Sequence, residues 1–541
     1  MRKHVRHRLV LTASLVMMAG FLIAGGIPAL AASSPAGTWG RATAAPGTSA
    51  ANGASVDGVS CVPHGECTAV VDAGLNITSD LASYVVTERG GRWGAEVPIP
   101  GLTRIAPAGD AVATGLSCPK SGYCLVAGIY AYGTGDNSIG AFTIWESNGT
   151  WGTPAKIPGL AKLNTAGLVI PAQVACRSTR TCVISGIYAG GTRANPGFST
   201  FIAEDLYGKW KNAIQAPGLP KPSGGTAIGP DALSCPSQGN CVLGLGSPDL
   251  SVGVSVSTGG SGPIPAAIRG AHRLTGRALL RSLAAIRPLT ATAATATAAT
   301  ATAATATAAT SSQQARAVIE IDGTWQKAQK VGPAVSASGL AEATAVACPA
   351  PGKCVLAGVA VKSASAGYSF FVTESGKTWS KPVQFATLGV LALACPAAGS
   401  CVAGGLDRKG VAAIMAEKRG KWGTPTELPS ARDLSHGTAK AQGSEVDYLV
   451  CPSAGNCSAG GSYSWDANSD NPGEEVFVGV EANGGWAHVR VPAGIAALNT
   501  GLFAGFTGLS CASVANCAAG GDYLNTSDDP GAFIIAETPA R

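Results

Sequence analysis

The sequence predicts an all-β protein folded as a single eight-bladed β-propeller, and three observations predict it. Two cysteines recur eight times at the spacing C-x5-C, these pairs use all 16 cysteines, and between them recurs an apolar strand ending in Glu, a Gly turn and then Trp. The pairs are Cys61/Cys67, Cys118/Cys124, Cys176/Cys182, Cys235/Cys241, Cys348/Cys354, Cys395/Cys401, Cys451/Cys457 and Cys511/Cys517, at intervals of 57, 58, 59, 113, 47, 56 and 60 residues. Self-similarity at a fixed period marks an array of units that cannot bury their apolar faces alone, so that stacking neighbours makes the core. Gly at 73 of 541 residues and a charged fraction of 13% suit tightly turned sheets better than helices.

The first element is a leader. Arg2, Lys3, Arg6 and Arg8 precede an apolar run from Leu9 to Ile27 that closes on Ala29-Leu30-Ala31, the pattern of a secretory signal peptide spanning residues 1–31. The alternative is an uncleaved anchor helix. The mature chain, with no further stretch able to span a membrane, is expected to be secreted and extracellular. Cleavage removes four basic and no acidic residues, so the net charge of +6 falls to +2. So small a balance excludes a nucleic-acid footprint.

An even cysteine count in an exported chain predicts disulfides. Structural zinc sites pair cysteines at shorter spacing, and the four histidines of the mature chain, His64, His272, His436 and His488, lie in unrelated contexts. Stretches such as "LSCPSQGNCVLGLG" put Pro, Ser and Gly in a turn with apolar strands outside, so each disulfide should staple two adjacent antiparallel strands. One such short loop stabilises by only about 2 kcal/mol, so the eight act together.

The next two strands carry the Glu and Trp landmarks: "YVVTERGGRW" ends at Trp93, "FTIWESNGTW" at Trp151, "FIAEDLYGKW" at Trp210, "FVTESGKTW" at Trp379 and "VGVEANGGW" at Trp486. Trp325 and Trp422 follow the same pattern. Four short strands per repeat read as a propeller blade. The last repeat ends at "FIIAETPAR" without its Trp strand, whereas Trp39 precedes the first hairpin with no strands of its own. Residues 32–541 are therefore expected to form one ring closed by pairing of the N-terminal and C-terminal strands, which removes an open edge. A seven-bladed ring with one degenerate repeat is the alternative.

The doubled interval holds an insertion, residues 252–312, within the fourth repeat. Its 263–287 stretch reads as a helix with Arg269, Arg273, Arg277 and Arg281 on one face and Ile268, Leu279, Leu283 and Ile286 on another. Such a basic amphipathic helix is a candidate for weak contact with the cell envelope; loose packing against a blade is the plainer reading, since Gly270 and Gly276 weaken it. TATAA repeated four times over 290–309 offers little apolar area against its ordering entropy and reads as a linker.

At the Trp turn the chain resembles a degenerate Asp-box, S-x-D-x-G-x-T-W, of sialidase-like and related bacterial propellers. Gly376, Thr378 and Trp379 match, while Val372 and Glu374 stand where that motif has Ser and Asp. The mature chain outside the insertion also resembles secreted bacterial proteins built of SC-x5-C-AVG units. Neither resemblance implies an activity.

No catalytic, cofactor or metal residues stand out. A sialidase-type reaction needs an arginine cluster, a Tyr/Glu pair and an acid carboxylate from different blades, and the Glu residues here sit mostly at a repeated structural position. Asp466, Asn468, Asp470 and Glu474 have alternating oxygen spacing, with Asp528 and Asp529 in the same place one repeat on, but the pattern is not an EF-hand and reads as a solvated loop. Tyr130, Tyr188, Tyr463 and Tyr523 recur after the second cysteine strand, either as a ligand-facing ring or as filling between blades. The expected function is a non-catalytic binding or scaffold module whose partner is a glycan or surface protein, with a sialidase-like carbohydrate-active hydrolase as the alternative. An enzyme should gather Arg, Glu, Asp and Tyr at one channel mouth; a scaffold should line its channel with small and apolar residues.

Overall fold

Every C-x5-C stretch closes a hairpin, and that hairpin starts a blade. The computed structural model describes residues 37–48, 53–62, 65–74, 82–107, 111–132, 138–223, 228–246, 314–335, 340–363, 366–465, 473–527 and 529–539. All of these lie within the unit Pro35–Arg541. The signal peptide reading for 1–31 and the insertion 252–312, with its arginine face and TATAA repeats, lie outside the described residues.

Eight five-stranded antiparallel sheets form eight blades, which excludes the seven-bladed alternative. The inner strands are Ala54–Val62, Ala111–Lys120, Val169–Ser178, Gly229–Ser237, Leu340–Ala347, Leu388–Ala397, Ala439–Ser453 and Ala504–Ser513. Each touches the inner strand of the blade on either side, the eighth touching the first, so the ring is closed around these strands. Gly37–Trp39 and Thr43–Ala44 pair with Pro530–Pro539 and supply the outer strand of the last blade.

The outer strand differs from the single strand expected. It is broken in two, as where Arg92–Trp93 and Val97–Pro98 both pair with Ala82–Arg89. The seventh blade instead adds a two-residue strand, Ser435–His436, inside its long inner strand.

Glycine sets the close approaches. In five blades a glycine of the second strand lies directly opposite a phenylalanine of the third, as Gly128 opposite Phe142 and Gly358 opposite Phe370. A Cβ on Gly358 would fall 2.2 Å from the Glu342 carbonyl oxygen and 2.4 Å from the Phe370 ring, so only glycine lets the ring lie flat. Six of the turns before Trp use two successive residues of positive φ, among them Gly90-Gly91, Asn148-Gly149, Asp322-Gly323 and Asn483-Gly484. That is the type I′ turn favoured in two-residue hairpins.

The landmarks align into one transverse row per blade. Cys61 lies opposite Cys67, Cys67 opposite Glu88 and Glu88 opposite Trp93. All eight pairs are disulfides, with Cα–Cα separations of 3.9–4.1 Å. Each disulfide staples two adjacent antiparallel strands at a hairpin neck, as expected, and several of the sulfurs lie deep. Cys124, Cys401 and Cys517, the second cysteines of their pairs, are only 2%, 1% and 1% exposed. Each packs into an apolar cluster at a blade seam, Cys124 with Leu116 and Ile144, Cys401 with Phe371 and Met415, and Cys517 with Phe506 and Ile535. The turn is wet, but the strand leaving it runs straight into the core, so these cysteines are part of the packing and not of a ligand-facing site.

The acid facing Trp is Glu88, Glu146, Asp205, Glu320, Glu374, Glu417, Glu481 or Glu537. Burial raises the pKa of all eight. Four of the carboxylates accept backbone N–H groups, among them those of Gly91 and Arg92 for Glu88 and that of Cys354 for Glu374. Trp rings reach the next blade: Trp145 donates its indole N–H to Asp205 at 2.9 Å, and Trp422 stacks on Phe371 at 4.1 Å.

Candidate functional site

The innermost strands carry a feature that spacing alone does not reveal. In each blade the residue four before the first cysteine is skipped by the strand pairing, a one-residue β-bulge. A bulge takes its residue out of the inward-outward alternation and re-aims the side chain. The residue before it is buried in all eight blades, whereas the bulged residue is half-buried or exposed in seven, so it leaves the buried face of the innermost strand. Around the ring these residues are Asp57, Thr114, Ala172, Asp231, Thr344, Leu391, Asp447 and Thr507. By whole-residue exposure Asp447 is buried and Asp57 and Asp231 are half-buried, although the carboxyl groups of these two are themselves largely withdrawn from water.

Side chains of the preceding blade take up the N–H before several bulges. Val56 N–H donates to Asp522 at 2.9 Å, Ala113 N–H to Asp72 at 3.3 Å and Val390 N–H to the Ser369 hydroxyl at 2.9 Å. Bulge threonines donate to carbonyls, Thr344 across the seam to Val390 at 3.1 Å and Thr507 within its blade to Gly520 at 3.2 Å. Asp57, hydrogen-bonded to Asp72 and Ser55 and near Asp522, is pushed up to about 7, chiefly by desolvation. Asp231 rises well above the ordinary carboxylate range through burial and the nearby Glu342. Asp57 and Asp231 with three threonines can exchange hydrogen bonds with a polyhydroxylated or amine-bearing ligand, whereas Asp447 is buried. They contain no nucleophile–base pair.

The innermost strands match neither sequence expectation in full. Their bulge tier holds three aspartates where a scaffold was expected to show small and apolar residues. It holds no arginine or tyrosine, which an enzyme of the sialidase kind would place there.

Several singled-out residues lie elsewhere. The four tyrosines are buried at 5%, 1%, 1% and 6% exposure for Tyr130, Tyr188, Tyr463 and Tyr523, so the ligand-facing reading is corrected: they fill space within and between blades. Tyr130 and Tyr523 lie over Gly140 and Gly531, which leave room for the rings. His488 is exposed and bonds Ser430 at 2.6 Å. His436, expected at the surface, is half-buried instead: its ring stacks on Trp465 at 4.2 Å and its Nδ1 lies 3.0 Å from the buried Glu475, which also accepts the Tyr463 hydroxyl at 2.9 Å. The strand carrying His436 exists in this blade alone among the described residues, so no repeat pattern could announce it. His64, His272, Asp466, Asn468, Asp470 and Asp528 lie outside the described residues. Glu474 instead anchors its strand, its N–H donating to Leu502 at 2.8 Å, and Asp529 closes a local turn with Asn525. Among the described residues no three His, Cys, Asp or Glu side chains cluster as a metal site, and no helix is long and apolar enough to cross a membrane.

No family model matches the chain, and no curated protein matches it in sequence. Solved structures align to it at low sequence identity. The β-propeller domain of the Trilobed protease from Pyrococcus furiosus aligns at 10% identity and a TM-score of 0.35, covering 80% of this chain and 97% of that one. A protein of unknown function from Dyadobacter fermentans aligns at 9% identity and 0.36, covering 80% and 95%. Trypanosoma rangeli sialidase aligns at 9% identity and 0.33, covering 93% of this chain and 59% of that one.

Proposed function

We propose that this protein is a secreted, disulfide-stapled propeller acting as a non-catalytic binding or scaffold module at the cell surface or in the medium. Eight disulfides suit an oxidising compartment, and the leader at 1–31 supplies a route to it. The observation that carries the non-catalytic reading is the content of the inner strands. They hold a single arginine, Arg177, which lies beyond its cysteine and donates to the Pro236 carbonyl at 2.6 Å. Among the described inner strands no carboxylate-binding arginine cluster is assembled, and the repeated acids sit in the disulfide–Trp rows, which supports the non-catalytic reading.

The ring of aspartates and threonines favours a glycan or a surface protein presenting hydroxyl and amine donors. The test is glycan-array binding by the mature protein with and without calcium, paired with release assays on any glycan bound. Binding without turnover, weakened by Asp57→Asn and Asp231→Asn together, is expected. Turnover overturns the reading in favour of the hydrolase. Silence on the array removes the glycan and leaves protein partners, to be sought with the same double variant as control.

A further inference from the structure

The seam between the third and fourth blades carries an extra acid. In the other seven blades the residue before the row acid is Thr87, Trp145, Ile319, Thr373, Ala416, Val480 or Ala536, none of them charged. The third blade has Glu204 there, ahead of Asp205. Glu204 meets Glu320, the row acid of the fourth blade, in a hydrogen bond between the two carboxyls. Trp325, cross-strand partner of Glu320, donates its indole N–H to one Glu204 oxygen, and Lys211 Nζ lies 2.7 Å from the other.

Both carboxyls are buried, at 5% and 2% exposure. A narrow crevice of about 10 Å³ leads to them, and the charged side chains lining it are Arg177 from the inner strand, Glu204 and Glu320. Arg177 is committed to the Pro236 carbonyl. Lys211 alone therefore balances one carboxylate, and the second carboxyl completes a neutral set only when protonated. Two carboxylates in contact within a low-dielectric seam repel strongly, and such pairs hold one proton between them.

We propose that this carboxyl pair is a proton-operated latch: Glu320 carries a proton and donates it in a hydrogen bond to Glu204, and its loss loosens the seam between the third and fourth blades while the fifth–sixth seam stays closed. The direction of titration agrees, since burial and the adjoining Glu204 push Glu320 up to about 8. With the folded-state affinity for the proton raised, the latch contributes in full below the unfolded carboxyl pKa of about 4.5 and is lost as pH rises through about 8. The latch concerns ring integrity and is independent of what the channel binds.

Amide hydrogen exchange on the full chain at pH 6.5 and 9.0, corrected for intrinsic exchange rates, tests the proposal. Protection in the strands Asn195–Leu206 and Arg316–Ile321 should fall about tenfold at the higher pH, while Ala366–Ser375 and Ala412–Lys418 at the fifth–sixth seam hold. Glu320→Gln keeps an N–H donor toward Glu204 without a charge and should hold protection at both values. Unchanged wild-type protection, an equal fall at both seams, or a Glu320→Gln chain that loosens like wild type each overturns the latch. Should Glu320→Gln fail to fold, Glu204→Gln removes the opposing charge and must flatten the response in the same way.

Discussion

The serine that precedes the first cysteine in four repeats ties one blade to the next, and its removal has a calculable cost. Cys61 N–H donates to Ser510 at 2.9 Å, Cys118 N–H to Ser60 at 2.9 Å, Cys176 N–H to Ser117 at 3.0 Å and Cys348 N–H to Ser234 at 3.1 Å, each bond crossing a seam. Truncating one serine to alanine strands a part-buried backbone donor, at a cost of about 1–2 kcal/mol. The four bonds lie at four different seams, so their losses should add, and Ser60→Ala, Ser117→Ala, Ser234→Ala and Ser510→Ala together should remove about 4–8 kcal/mol. The third blade has Ala175 in this place, and the facing N–H belongs to Cys235. Ala175→Ser should install the missing bond and stabilise by about 1 kcal/mol. Urea unfolding of the disulfide-intact protein, followed by circular dichroism and checked by amide exchange at each seam because a ring this large need not unfold in two states, measures both effects. A quadruple variant as stable as wild type, or an Ala175→Ser chain that is weaker than wild type, would refute the reasoning.

Two further outcomes are expected. Glu537, 1% exposed and accepting the Ser458 hydroxyl at 2.8 Å across the seventh–eighth seam, is pushed up to about 7 by burial. Its folded pKa is raised, so stability should fall by about 3 kcal/mol as pH climbs from 4.5 to 7 and then level off; Glu537→Gln should remove that decline in urea midpoints measured across the range. Gly358→Ala should cost about 3 kcal/mol or more, because the new methyl meets the Glu342 carbonyl at 2.2 Å, whereas Gly505→Ala, whose nearest neighbour is a Phe503 ring atom at 3.2 Å, should cost under about 1 kcal/mol in the same assay.

What could be read from the residues was whatever the repeat wrote eight times. Blade count follows from eight cysteine pairs, and the place of Glu beside Trp follows from a turn that needs Gly-rich, left-handed positions such as Gly90-Gly91. How deep a cysteine sits was less legible, because the polar turn before Cys124 or Cys517 says nothing of the neighbouring blade that covers the sulfur. The bulge ring was hidden because its residues, Asp57, Thr114, Ala172 and their counterparts, share no chemistry; what they share is a backbone position four residues before Cys, and composition cannot show a pairing slip. His436 was hidden for the opposite reason. Its partners Trp465 and Glu475 lie far along the chain and reach it through a strand that occurs once. The carboxyl pair at Glu204 and Glu320 is separated by the insertion in sequence and joined only by the ring.

The broken outer strand has a bearing on life at high concentration. Eight sheets present eight rims to the surroundings, and a continuous rim is a template on which another chain can add. Here the rim comes in pieces of two or three residues, separated by stretches such as 95–96 that leave the ladder, so the row of free backbone groups is repeatedly interrupted. A colliding copy finds no run long enough to register against, so edge-to-edge addition of a second sheet is interrupted.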